Sequence, residues 1–234
     1  ISSQKISVGP PFYHKLIIPF LIPFLLMMAI GPKLKWIKSQ LENKIYLISF
    51  LIISILLALL VLKNSNENIL INTFLISSAL YLFFMTLRDF FVKKYKNISQ
   101  NVAHFGFSLL ILSILFNNLF ASEIITNLKV GETFENSKTK IIFESVDQKK
   151  EQNYNAIIAN FSISNSNGED DKFSPELRIY NQPVIATSEA DIKTTLMSDK
   201  FIVINLVQNQ DFFNVRYQVK PFMLWIWLSV ILIS

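Results

Sequence analysis

The sequence has 234 residues, of which 51% are hydrophobic and 21 are Phe, and this composition excludes an ordinary soluble domain and is typical of a membrane protein. Its net charge is +5, and many of its Lys residues lie beside apolar segments, where they fit loops near anionic lipid, so we expect no nucleic-acid partner. The sequence contains no Cys, which excludes disulfides, thiolate metal sites and a cysteine nucleophile within it.

Four apolar segments within residues 1–120 predict a bundle of four full transmembrane helices, at 12–30, 45–62, 69–87 and 101–120. Lys-rich segments at 33–44 and 88–96 follow the first and third of these spans. By the positive-inside rule both segments face the cytoplasm, which predicts that residues 121–219 are extracytoplasmic.

The fourth span carries one ionisable side chain, His104. An imidazole in hydrocarbon is costly unless it is paired, so His104 is either a ligand or proton carrier, or a structural histidine bonded to a neighbouring helix. Ala103, Gly106 and Ser113 form a seam of small residues beside it, which would let a flat group or another helix come close. His14, beside Tyr13 at the rim of the first span, is expected to be interfacial and not a ligand.

Residues 121–219 are polar, with 10 Lys and Arg against 14 Asp and Glu, a net charge of −4. β-Branched and aromatic residues predict strands at 140–146, 155–164, 201–207 and 212–219, so the block should be a mainly-β domain. A capping pattern at Ser188 predicts a short helix ending near Met197. The carboxylates at 169–171 are expected in a solvated loop, and the Asn160 glycosylation triplet falls within a predicted strand. Residues 220–234 are expected to begin a fifth, truncated transmembrane helix.

Several short motifs resemble, in the same order, the C-terminal part of the CcmF family, the haem lyase component of cytochrome c maturation. The matching stretches cover essentially the whole chain and lie at residues 6–11 with the double-proline span to Gly31 and Pro32, and at 103–106, 153–154, 175–180, 187–190 and 220–228. This resemblance implies a role in attaching haem covalently to an apocytochrome c outside the membrane.

The resemblance also implies partners and a cofactor. Haem would be delivered by the chaperone CcmE, and apocytochrome c by a CcmH-type subunit. A haem b within the membrane would be held by two histidines, one of which is His104, the axial ligand of the haem iron. The second ligand would lie in an N-terminal half that these 234 residues lack, so we expect the fragment alone to be inactive. The implied location is the bacterial inner membrane, with residues 121–219 periplasmic, or the mitochondrial inner membrane.

Two other interpretations compete with the haem lyase. In the first, the chain is a structural membrane anchor that presents a β domain for subunit assembly, and His104 is a packing residue. In the second, the chain is half of a transporter or channel, which the single ionisable group recognised within the spans disfavours.

Overall fold

The computed structural model describes residues 10–34, 44–63, 69–92, 98–165, 170–207 and 211–234. Contacts divide the chain into two compact units, one formed by Ile1–Leu119 with Trp225–Ser234 and the other by Phe120–Leu224. The first unit is a bundle of apolar helices and the second is an antiparallel β-sandwich. The predicted fold class, a membrane helix bundle with a mainly-β domain, is confirmed.

Within the described residues, the bundle consists of four long helices and one shorter helix. Their bounds are α1 Pro10–Ile30, α2 Lys44–Leu62, α3 Ile69–Val92, α4 Ile98–Phe120 and α5 Met223–Ile233. A 3-10 turn at Gly31–Lys33 follows α1. The four long helices are apolar and long enough to cross a membrane. The loop predicted to begin at Arg88 is wrong for residues 88–92, because α3 continues to Val92 and includes Arg88 and Asp89.

Helix α3 lies at the centre of the bundle. More than half of it, 56%, is buried, compared with 22% of α4. Helices α1 and α2 pack on α3, and Phe83 and Phe90 of α3 contact Phe105 of α4. Buried hydroxyls along these helices bond carbonyl oxygens of their own helix, as Ser78 does to Leu75 at 2.9 Å. Such bonds satisfy polar groups where water is absent.

The sandwich has two antiparallel sheets. One has the strand order β1-β10-β9-β8 and the other β2-β3-β4-β6-β7, with β5 paired to β4. The strands are β1 Ser122–Leu128, β2 Thr133–Glu135, β3 Thr139–Lys150, β4 Tyr154–Asn165, β5 Asp170–Phe173, β6 Glu176–Asn181, β7 Val184–Glu189, β8 Asp191–Thr194, β9 Ser198–Leu206 and β10 Phe213–Pro221. The first and last strands therefore lie side by side, with Ser122 opposite Val219.

Alternate residues of both sheets form the core of the sandwich. Phe143 and Phe161 stack with ring centroids 4.5 Å apart, and both side chains are fully buried with Ile202 and Val215 from the other sheet. Each such aromatic ring or branched side chain contributes about 1.5–3 kcal/mol on burial. The core thus follows from the period-2 pattern that predicted the strands.

The four predicted strands correspond to β3, β4, β9 and β10, but the helix predicted from Ser188 is wrong. This segment instead contains the end of β7 and the whole of β8, in which Asp191 lies opposite Ile202 of β9. The solvated loop expected at 169–171 is also wrong for Asp170 and Asp171, which lie in β5, while residue 169 lies outside the described ranges. Asn160 lies within β4 as expected, and its amide donates to Asp147 at 2.7 Å.

Candidate haem-ligand site on helix α4

His104 lies in the first half of α4. The helix begins at Ile98, so the histidine is about 9 Å along its axis. The side chain is half-buried. Within the described ranges, no side chain or backbone group hydrogen-bonds to its imidazole. The competing interpretation makes His104 a structural histidine that is hydrogen-bonded to a neighbouring helix. The described part of the chain provides no such partner.

Aromatic contacts on both sides of His104 fix the position of its backbone. The ring of Phe105 lies 5.1 Å from that of Phe83 on α3. Phe107 meets Phe24 of α1 edge to face, with the centroids 6.0 Å apart. The residues that follow His104 in the chain therefore hold this turn of α4 against α3 and α1.

The seam of small residues is occupied by a helix. A Cβ atom added to Gly106 would lie 2.9 Å from Cβ of Leu232 and 3.1 Å from the carbonyl oxygen of Ser229, both on α5. Gly106 is two residues from His104, which is about 200° around the helix, so the two residues face opposite sides. The close approach at Gly106 therefore serves the packing of α5 on α4, and His104 lies on the other side of α4.

A buried ionic cluster lies at the end of the bundle where α1 and α3 finish and α4 begins. Lys33 Nζ is 2.9 Å from Asp89 Oδ2, and the two side chains are only 7% and 5% exposed. Arg88 lies 3.5 Å from the same carboxylate and 3.8 Å above the ring of Tyr46 on α2. The prediction of a single ionisable group within the spans missed Asp89. The apolar residues Phe90, Phe91 and Val92 beyond it were the available sign that the helix continues.

The chemistry available at His104 is that of one neutral imidazole in an apolar setting, which suits an axial ligand of haem iron. Among the described residues, no group of three or more His, Asp or Glu side chains is arranged to hold a metal ion. The side chain of His14 lies outside the described residues. The site therefore fits one half of a two-ligand haem site.

Comparison with known proteins defines the class. The family described as CcmF C-terminal beta-sandwich matches residues 119–221. These residues cover the whole sandwich, so the second unit is similar to that domain over its full length.

The particular relatives are CcmF proteins. A cytochrome c-type biogenesis protein CcmF from Haemophilus influenzae is 24% identical over 96% of the chain, and CcmF from Escherichia coli is 19% identical over 98%. The solved structure of the cytochrome c heme lyase CcmF superposes with a TM-score of 0.73, at 21% identity and over 96% of the chain. The resemblance to the C-terminal part of CcmF is confirmed, and the chain spans 37% of the length of both curated relatives.

Proposed function

We propose that the chain is the C-terminal part of a haem lyase of cytochrome c maturation, in which His104 is one axial ligand of a membrane haem b. The observation that carries the proposal is the half-buried imidazole of His104, which has no hydrogen-bond partner among the described residues although it lies within a membrane-spanning helix. An unpaired imidazole in hydrocarbon is costly, and an iron bond would compensate that cost.

The residues of this chain hold and orient the ligand. Phe105 and Phe107 fix the helix against α3 and α1, so the imidazole has a defined position before haem binds. Apolar side chains of the bundle would exclude water from a haem iron bound at His104, and such exclusion tunes a reduction potential. When bound, the haem supplies one-electron chemistry, which suits a reaction that needs its haem substrate reduced.

The remaining parts of the proposal concern location and partners. The second axial ligand lies in the N-terminal half of the protein, and the sandwich is a periplasmic docking domain at the bacterial inner membrane or its mitochondrial counterpart. The haem substrate comes from the chaperone CcmE, and the apocytochrome c comes from a CcmH-type subunit. These assignments rest on the similarity to CcmF, whose members are cytochrome c-type biogenesis proteins by name.

The test compares substitutions of the two histidines of this sequence in the protein that contains both halves. His104→Ala is expected to lower haem b per polypeptide roughly tenfold or more, because one iron bond is lost. His104→Gly should behave alike and recover part of its haem with added imidazole. The matched control, His14→Ala, should keep its haem. The measurement is the reduced-minus-oxidised absorbance spectrum of the purified, membrane-extracted protein.

An unchanged spectrum in well-expressed His104→Ala would overturn the ligand assignment. If haem attachment to apocytochrome c also survived in that variant, the structural anchor presenting a β domain would be the better description. If His14→Ala lost its haem and His104→Ala kept it, the membrane ligand would lie on α1 and not on α4.

A further inference from the structure

The most unusual feature of the bundle outside the ligand position is the buried ion pair between Lys33 and Asp89. Its two charged atoms are 2.9 Å apart, and both side chains are more than nine-tenths buried. Charged side chains that are buried to this extent are costly even when paired, since a pair of apolar side chains would often fit as well. A pair retained in such a place is a candidate for function.

The ion pair is close to the proposed haem ligand. Asp89 precedes Phe90, whose ring lies 5.8 Å from that of Phe105, and Phe105 directly follows His104. The ion pair and the imidazole are thus attached to neighbouring positions on two helices in contact.

We propose that the Lys33–Asp89 ion pair is a positioning element that sets the reduction potential of the haem bound at His104. The proposal rests on the proposed function. Ferric haem carries one positive charge more than ferrous haem, so a nearby ammonium group disfavours the ferric state. Asp89 fixes the ammonium group in place, and its negative charge limits how far Lys33 raises the reduction potential.

The sign of the charge that is removed determines the direction of each expected change in reduction potential. Lys33→Gln removes the positive charge and leaves Asp89, so the ferric state gains and the potential falls. Asp89→Asn removes the negative charge and leaves Lys33, so the potential rises. In general, one unit charge that acts over about 10 Å at an effective dielectric constant of about 20 changes an equilibrium constant roughly tenfold. For a one-electron couple, a tenfold change corresponds to about 59 mV.

The experiment is a potentiometric titration of haem b in the protein that contains both halves. Lys33→Gln and Asp89→Asn should shift the potential in opposite directions, and the double variant K33Q/D89N should lie between them. The matched control is Lys63→Gln, which removes an exposed lysine after the end of α2, at the opposite end of the bundle, and should not move the potential. Breaking a purely structural ion pair would not produce shifts of opposite sign.

A variant with the two residues exchanged, K33D/D89K, keeps the buried pair and covers the case in which a single variant fails to fold. It exchanges the positions of the two charges, so its potential should differ from that of the parent. Equal potentials in this variant and the parent, or shifts of the same sign in both single variants, would overturn the proposal and leave His104 as ligand. Absence of haem from the parent protein itself would overturn both proposals together.

Discussion

The contact between α4 and α5 at Gly106 predicts whether a substitution there stabilises or destabilises the protein. Gly106→Ala adds a Cβ atom 2.9 Å from Cβ of Leu232 and 3.1 Å from the carbonyl oxygen of Ser229. Neither atom is the end of a flexible side chain, so α5 must move outward. Intrinsic helix propensity alone predicts the opposite, because Ala stabilises a helix interior by about 1 kcal/mol relative to Gly.

The two effects can be compared in magnitude. Overpacking a close contact costs about 1–3 kcal/mol, which exceeds the gain in propensity. We therefore expect Gly106→Ala to lower the free energy of unfolding by about 1 kcal/mol, and Gly106→Leu to lower it further because the added side chain cannot fit beside the Ser229 backbone. The matched control is Gly31→Ala, since no atom lies within 4 Å of a Cβ at Gly31.

The assay is unfolding in detergent micelles, followed by tryptophan fluorescence. The sequence has three Trp residues, and Trp225 and Trp227 both lie on α5, so a Trp36→Phe background makes the emission a report on that helix. Gly106→Ala should shift the emission and the unfolding midpoint, and Gly31→Ala should shift neither. A more stable Gly106→Ala protein with unchanged emission would refute the close packing of α5 on α4.

Two further predictions concern topology and pH. In intact cells or spheroplasts, an impermeant thiol reagent should label Ser137→Cys in the sandwich but not Ser39→Cys in the Lys-rich segment after α1, and the reverse result would invert the topology. The hydrogen bond from Lys200 at 2.7 Å holds the pKa of the Asp171 carboxyl below its usual value, so its stabilisation is present above the unfolded pKa of about 4 and is lost as pH falls through the lower folded pKa. Asp171→Asn should therefore flatten the loss of thermal stability at acidic pH, and an unchanged acid profile would show that this ion pair does not contribute.

Hydropathy predicted most of the bundle because hydrocarbon imposes a simple requirement on length and polarity. The fourth predicted span and α4 both contain His104 and end at Phe120. The requirement is weaker at helix ends, where charged residues are tolerated. Arg88 was therefore interpreted as the start of a loop, whereas its guanidinium packs over Tyr46 and the helix continues past it. The partner of Lys33 in space could not be predicted, because 56 residues separate it from Asp89.

In the sandwich, local sequence signals failed where pairing with a distant strand decided the structure. The pattern at Ser188 is compatible with a helix start, yet Ile192 pairs with Phe201 in an antiparallel ladder. Strand preference depends on the neighbouring strand more than on the residue itself, so a four-residue edge strand carries little signal of its own. The long central strands were predicted because their alternation extends over many residues.

The pairing of the first and last strands of the sandwich has a consequence for the order of folding. Gly106 and Ser229 are in contact although more than a hundred residues separate them, and closing a flexible loop of that length is entropically costly and slow. Once β1 and β10 have paired, the chain leaves the sandwich within about 5 Å of where it entered, so the loop that remains is short. Early formation of the β domain would thereby lower the cost of docking α5 on α4.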